Sequence, residues 1–287
     1  MRGGSAIQQI ISIAIPTSMS SPLIRPLDIP LLRQSMQTAP AFPHFCIDNF
    51  LEEDFATEVH DAFPSFSQAA ETGKQFNAVN ERKKIQITEY AKFPAPIRRL
   101  ADLLSSQSFL DLMARLTGIE NLVADPRLEG GGIHETNSGG RLDVHVDFNY
   151  SEHLQLYRRL NVLLYFNKDW RDEYGGILDI WDRDVKHCVG RFSPTFNRIA
   201  GFATSEWSWH GVTPVRCPPG MMRKSFAVYF YTEEPPAGWE GKKHSTVFKA
   251  RPEEYWRGHV AMPAEQTLRQ FKRSLASAKR AVRRLLP

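Results

Sequence analysis

The sequence predicts a mainly β domain with packed α-helices, its strands closed into a sandwich or barrel. Three observations point there. From Leu122 onward, short apolar runs alternate with clusters of Gly, Asn, Asp and Pro over seven or eight segments, the spacing of an all-β sandwich or barrel. Before Leu122 the apolar residues recur at helical intervals instead. The length of 287 residues suits one large domain with extensions.

Residues 1–37 lack sustained periodicity and contain Pro16, Pro22, Pro26 and Pro30, so a disordered or loosely packed leader is expected. Its opening, MRGGSAIQQIISIAIP, has one Arg and a short apolar stretch, but Gln8 and Gln9 interrupt it and no clear small-residue cleavage site follows. A disordered leader, or a start codon set too early, fits better than an export signal. Order is expected to begin with a strand over Ala41–Ile47. Asp48 and Asn49 then act as turn and N-cap for a helix over 51–63, which Pro64 ends. Leu51, Phe55, Val59 and Phe63 recur every four residues and give that helix its apolar face. A second helix is expected over Pro96–Leu104 and a third over Gln107–Leu116, with Gly118 as its stop.

Strands are expected within 121–130, 141–148, 159–167, 176–182, 197–204, 207–215 and 224–234. Gly130–Gly132, Gly139-Gly140, Gly175-Gly176 and Pro218-Pro219-Gly220 are the corners between them. The main domain is thus assigned to 38–235. After Pro235-Pro236 the strand pattern is lost, and 236–287 is a C-terminal extension ending in a helix from about Ala264. Leu268, Phe271, Leu275, Ala278, Val282 and Leu285 share one face of that helix.

Composition excludes some classes. Hydrophobic residues make up 42% and charged residues 24% of the chain, an ordinary balance for a globular protein with a sizeable core. No apolar run approaches the ~20 residues of a membrane span. Cys46, Cys188 and Cys217 form neither a zinc signature nor a disulfide framework, which points to a reducing, cytoplasmic setting. The net charge of +4 is unevenly spread: residues 265–287 carry +6 and leave −2 on the rest. The basic character therefore belongs to the tail. Residues 264–287 are either a helix packed with a solvated charged face or a contact for anionic membrane or nucleic acid.

Function is concentrated in two segments. In Leu142-Asp143-Val144-His145-Val146-Asp147-Phe148, His145 and Asp147 stand at i and i+2 of an alternating run, so both point to one face of a strand. Trp209-His210-Gly211 supplies a distant second imidazole. Two His and one carboxylate form a facial triad, which leaves positions open on a non-haem Fe(II). The spacing H-x-D alone is weak, and a His paired with Asp143 or Asp147 is its plain structural alternative. Thirteen residues after His210, Arg223 and Ser225 share a face at the start of a strand. A buried Arg offers a bidentate fork to a carboxylate, and the Ser hydroxyl adds a third hydrogen bond. A surface Arg at a strand start is the alternative.

These segments resemble the Fe(II)/2-oxoglutarate-dependent dioxygenases, and among them the prolyl-4-hydroxylase-like branch. The likeness spans about Phe42 to Glu234 and is carried by His145-Val146-Asp147, the run from Leu163 to Trp170, Tyr174-Gly175-Gly176-Ile177-Leu178, the run from His210 to Val215, and Arg223 with Ser225. It implies a double-stranded β-helix, a jelly-roll or cupin-like core, with helices packed against it. It implies His145, Asp147 and His210 as iron ligands and Arg223 as the partner of the distal carboxylate of 2-oxoglutarate. Tyr165 would hydrogen-bond the same carboxylate, Ser225 would assist, and Leu163 and Leu178 would line the pocket. The implied reaction consumes O₂, with ascorbate as reductant. It oxidatively decarboxylates 2-oxoglutarate to succinate and CO₂ and hydroxylates an unactivated C–H. Asp147 argues against halogenation, since related halogenases lack that carboxylate.

The substrate is not written in the sequence. A prolyl residue of a protein or peptide and a small molecule both fit. Residues 148–159 form a polar, aromatic loop suited to a lid or to substrate contact, or else an ordinary connection. Asp179 and Trp181 share a strand face and suit either substrate contact or cross-strand packing. Two other classes stand beside the hydroxylase: a catalytically idle binding or sensor module with a basic tail, and a cupin-like metalloenzyme without 2-oxoglutarate. An intact triad together with Arg223 speaks against both.

Overall fold

A computed structural model describes residues 23–239 and 241–254. The first 22 residues and the helix expected from Ala264 lie outside the described residues. Helix α1 (Ile29–Gln37) is capped by Asp28, which accepts a hydrogen bond from Leu31 N at 3.1 Å, and it opens on Pro30, whose missing N–H costs nothing there. Residues 23–37 were expected to be loose and are instead folded, with Met36 buried. The prolines precede or open this helix rather than breaking it.

Strand β1 (His44–Ile47) leads to α2 (Glu53–Ala62). The expected Asp48/Asn49 cap is not used: Glu52 precedes the helix and makes no side-chain cap bond. Asn49 takes a positive φ of 52, and Leu51 bridges to Ile24, so this stretch serves backbone pairing. Helix α3 (Phe66–Thr72), with a Ser65/Gln68 capping box, leads into a hairpin of β2 (Lys74–Asn77) and β3 (Glu81–Ile87) that the apolar pattern did not announce. Helices α4 (Ala95–Ser105) and α5 (Gln107–Thr117) follow, α5 ending on Gly118 at φ 75 as expected. The strand expected over 121–130 shrinks to β4 (Val123–Ala124), because Asp125 accepts from the N–H groups of Arg127 and Glu129 and turns the chain.

The barrel is built from β5 (Gly132–Val146), β6 (Tyr150–Ser151), β7 (Leu156–Tyr165), β8 (Leu178–Trp181), β9 (Cys188–Phe192), β10 (Arg198–Ala203), β11 (His210–Val212) and β12 (Arg223–Thr232), and β13 (Val247–Lys249) is added at its rim. The strand order is β1-β10-β7-β12-β5-β11-β8-β9, all antiparallel. Strand β5 changes neighbours along its length. Its first half pairs with β12, its second half with β11 and β13, and β3 pairs with both halves. The change occurs around Gly139, at φ 82.

Strand parity then separates two interiors. Leu160, Val162 and Leu164 of β7 and Phe226, Val228 and Phe230 of β12 pack in one core with Phe55, Val59, Ile97, Leu100, Leu104, Phe109 and Met113 of the helices. Their strand neighbours Asn161 and Leu163 line the barrel's own cavity, and Tyr165, Arg223 and Ser225 share that face of their strands by alternation. One bulge changes this parity. Pairing steps from Phe230↔Leu160 to Tyr231↔Arg158, so Arg159 is skipped and Arg158 turns inward. The helical core holds the sheet on which the cavity is built. Phe226, fully buried and edge-on to Phe93, is expected to cost about 3–5 kcal/mol on truncation to Ala, measured by chemical denaturation.

Candidate metal and co-substrate site

His145 lies near the end of β5 and His210 opens β11, and the ladder sets them directly opposite each other. Their ring centroids are 4.2 Å apart. The Nδ1 atoms face backbone carbonyls, Asp143 O at 2.8 Å for His145 and Ser208 O at 2.9 Å for His210. A carbonyl can only accept, so each Nδ1 carries a proton and each Nε2 is the nitrogen turned toward Asp147. Both Nε2 atoms lie 3.5 Å from Asp147, one from each carboxylate oxygen. The three ligand atoms all fall within 4.8 Å of one another.

Electrostatics favour the ligating forms. Burial works to raise the Asp147 carboxyl, but the Arg158 guanidinium and the two imidazoles outweigh it and hold the group well below the usual carboxylate range. Burial, and then the neighbouring His145 ring, push His210 down to about 3, so it stays neutral. Asp147 Oδ2 is already engaged: Asn161 Nδ2 donates to it at 2.6 Å and Arg158 Nη2 lies 3.1 Å away. Arg158 Nε in turn donates to Asn161 Oδ1 at 2.7 Å, and its guanidinium lies over the rings of Tyr229 and Phe148.

Leu163, Leu178 and Phe202 line the cavity together with the triad. Beyond them, Tyr165 joins the same apolar cluster as Leu163, Leu178 and Phe202. The Arg223 guanidinium stands 5.0 Å over the Tyr165 ring. Arg223 Nε donates to Gly176 O at 2.7 Å and Nη1 to Ser225 Oγ at 3.2 Å. Gly176 is needed there: an added Cβ would meet Arg223 Cδ at 2.9 Å, at a φ of +65. Among the described residues, Arg223 Nη2 and Tyr165 Oη are both buried without a hydrogen-bond partner. Burial pushes the Tyr165 phenol up to about 12, so it remains a donor, and disfavours the charge on Arg223. Two orphaned donors, one of them cationic, make a site for a carboxylate.

All eight residues singled out in the sequence fall in this one region. Others were missed. Arg158 and Asn161 hold Asp147; unbroken strand alternation would turn Arg159 inward instead, and the bulge exchanges the two. Two polar residues in the apolar strand run were the available signal. Phe202 and Phe248 lie against the imidazoles of His210 and His145, and neither has a sequence signature. Within 148–159, Phe148 and Arg158 line the cavity. Asp179 is paired with Arg251, and Trp181 packs with Val144, Val146 and Trp209. Among the other histidines, His153 spends both ring nitrogens on Asp125 and Glu129, at 3.0 Å each.

Residues 131–231 match the 2OG-Fe(II) oxygenase superfamily. No curated protein matches the sequence. The structure is similar to that of a prolyl hydroxylase from Trichoplax adhaerens in complex with a hypoxia-inducible factor oxygen degradation domain peptide fragment. That likeness has 18% identity and a TM-score of 0.52, over 71% of this chain and 88% of that one. It is also similar to a prolyl-4-hydroxylase from Pseudomonas putida, at 15% identity and a TM-score of 0.51, over 70% of this chain and 99% of that one. At such identities the likeness is one of fold.

His210 ties this geometry to pH. Its unfolded form titrates near 6.5 and its folded form near 3, so the unfolded chain binds the extra proton between those values. Stability of the metal-free protein is therefore expected to fall as pH drops through that window, and the depressed Asp147 adds to the fall at its acid end. Thermal melting against pH should show this slope, flattened in His210→Gln.

Proposed function

We propose, on the premise that residues 131–231 are a domain of the 2OG-Fe(II) oxygenase superfamily, that the chain is an Fe(II)- and 2-oxoglutarate-dependent hydroxylase. Its substrate is an unactivated C–H of a prolyl residue in a protein or peptide, or of a small molecule. The observation that carries this reading is the pair of orphaned donors, Arg223 Nη2 and Tyr165 Oη, buried beside the apolar cluster that lines the triad's cavity. An uncompensated buried guanidinium is costly. An acidic co-substrate removes that cost.

His145, Asp147 and His210 would hold the metal through the two Nε2 atoms and a carboxylate oxygen. The donor set, two imidazoles and a carboxylate on one side, fits Fe(II) with open positions. When bound, Fe(II) with 2-oxoglutarate supplies the oxidising power of O₂ for C–H hydroxylation, at the expense of oxidative decarboxylation to succinate and CO₂. The protein's own part is positioning. Asn161 and Arg158 engage Asp147 Oδ2, and so would fix the orientation of the carboxylate that the metal meets. Arg223, Tyr165 and Ser225 hold the distal carboxylate of the co-substrate. Leu163, Leu178 and Phe202 keep water off the segment between. The substrate would share the cavity, about 390 Å³ in all, whose lining includes Arg158, Tyr229, Phe148 and Phe76. Ascorbate serves as the external reductant.

Two measurements test this. Purified protein with Fe(II), ascorbate and 2-oxoglutarate should release succinate, and 2-oxoglutarate should bind in a metal-dependent manner; neither occurring would sink the reading. Arg223→Ala should weaken 2-oxoglutarate about 10- to 100-fold, the range of one lost charge-assisted hydrogen bond at ~1.5–3 kcal/mol, while metal affinity stays near wild type. His145→Ala should abolish metal binding. Equal co-substrate affinity in wild type and Arg223→Ala would refute the carboxylate assignment.

A further inference from the structure

The segment Lys242–Arg251, beyond the last barrel strand, runs across the rim of the site and is fastened at both ends. At one end Asn149 accepts from His244 N at 3.0 Å and donates to Lys242 O at 2.8 Å, and His244 Nε2 lies 2.8 Å from Glu206. The ammonium of Lys243 sits 3.2 Å from the centroid of the Tyr150 ring. At the other end Arg251, buried to 5% exposure, forks onto Asp179 at 2.9 and 3.2 Å. Just past it, Glu254 forks onto Arg141 at 2.6 Å on both arms. Between the anchors β13 pairs residue by residue with the ligand strand, Phe248 opposite His145. Ser245, Thr246 and Phe248 line the cavity.

This strap has few apolar side chains of its own to bury. Val247 is 44% exposed and Phe248 half-buried. Charge pairs hold it instead, and the buried pair at Arg251 is strongly destabilised by loss of either partner. What the strap delivers is a ring. The imidazole of His210 rests against Phe202 of β10, with centroids 4.4 Å apart; that of His145 rests against Phe248, 5.4 Å away at 34°. Each of the two imidazoles is thus fixed by a carbonyl at Nδ1 and by one phenyl ring. For His145 alone, that ring comes from outside the barrel. β13 also covers the edge of β5 that carries the ligand, which would otherwise present unpaired backbone groups beside the cavity.

We propose that this strap is a working part of the metal centre: Phe248 is the positioning residue for His145, and Ser245 and Thr246 form the wall against which the substrate packs. The proposal rests on the reading of His145 as a metal ligand. It assigns to the strap both the seating of one imidazole and the shape of the cavity on that side.

Co(II), which reports its ligand field in visible absorption, is the probe. Phe248→Ala should bind Co(II) about tenfold more weakly than wild type, the lower range for loss of a group that orients a ligand. Phe248→Leu, which keeps most of the bulk, should recover most of the affinity. Arg251 does not line the cavity, although its Nη1 also lies 3.9 Å from the Asp143 carboxylate; Arg251→Gln should reproduce the loss by freeing the strap. Melting of the metal-free variants checks that they are folded; half-buried Phe248 can be shortened without opening the main core. Wild-type affinity in both Phe248→Ala and Arg251→Gln would overturn the proposal and leave the metal site standing. Absence of Co(II) binding by the wild-type protein would remove the metal site itself.

Discussion

The antiparallel ladder between β5 and β11 is the constraint on which the rest depends. It sets His210 opposite His145 across adjacent strands. A slip of one residue would turn one imidazole to the opposite face of the sheet, and no side-chain rotation would return it. The contacts that hold this register are spread around the barrel. Val144 and Val146 anchor the ligand strand in an apolar cluster with Trp181 and Trp209 on the face away from the metal. The carbonyls of Asp143 and Ser208 then fix each ring within the ladder. Backbone hydrogen bonding, apolar alternation and tautomer choice all agree on one geometry, which is how a site is preorganised without a metal to pull it together.

Arg158 and Arg223 are both buried guanidiniums, and they differ in what they lack. Arg158 has an anion, Asp147, and a second partner in Asn161. Arg223 has only neutral partners, a carbonyl and a hydroxyl. In a low-dielectric interior a charge with neutral partners is the less stable arrangement. The cavity therefore favours an anion beside Arg223 and is already neutralised beside Arg158. The same contrast bears on the triad: Arg158 keeps Asp147 ionised, while burial keeps His210 neutral.

The parts that could be read in advance share one property: their signal lies within a few residues. The α5 stop at Gly118, the apolar spacing of Phe55 and Val59 and the alternation around His145 all belong to this group. Other features depend on contacts between distant segments. Asn49 is an ordinary N-cap residue, but the bridge between Leu51 and Ile24 claims that stretch of backbone. The hairpin Lys74–Asn77/Glu81–Ile87 is largely polar, so alternation did not mark it. β13 is three residues long and held by ion pairs rather than apolar burial, and a hydrophobic pattern cannot announce such a strand.

The sequence by itself determined which chemistry is available. It supplied a His and an Asp at strand spacing, a second His beside a Trp, and an Arg with a Ser at the start of a strand. It also determined the fold class, because seven or so short apolar runs between turn residues can bury themselves only by pairing into curved sheets. Only the tertiary structure decided which Arg meets Asp147, since one bulge opposite Tyr231 exchanges Arg158 for Arg159. It alone decided that, among the described residues, Arg223 Nη2 and Tyr165 Oη are left without a hydrogen-bond partner, and that Phe248 comes back from beyond the barrel to lie against His145. Period and composition fix what a segment can bury; long-range register fixes what it is buried against.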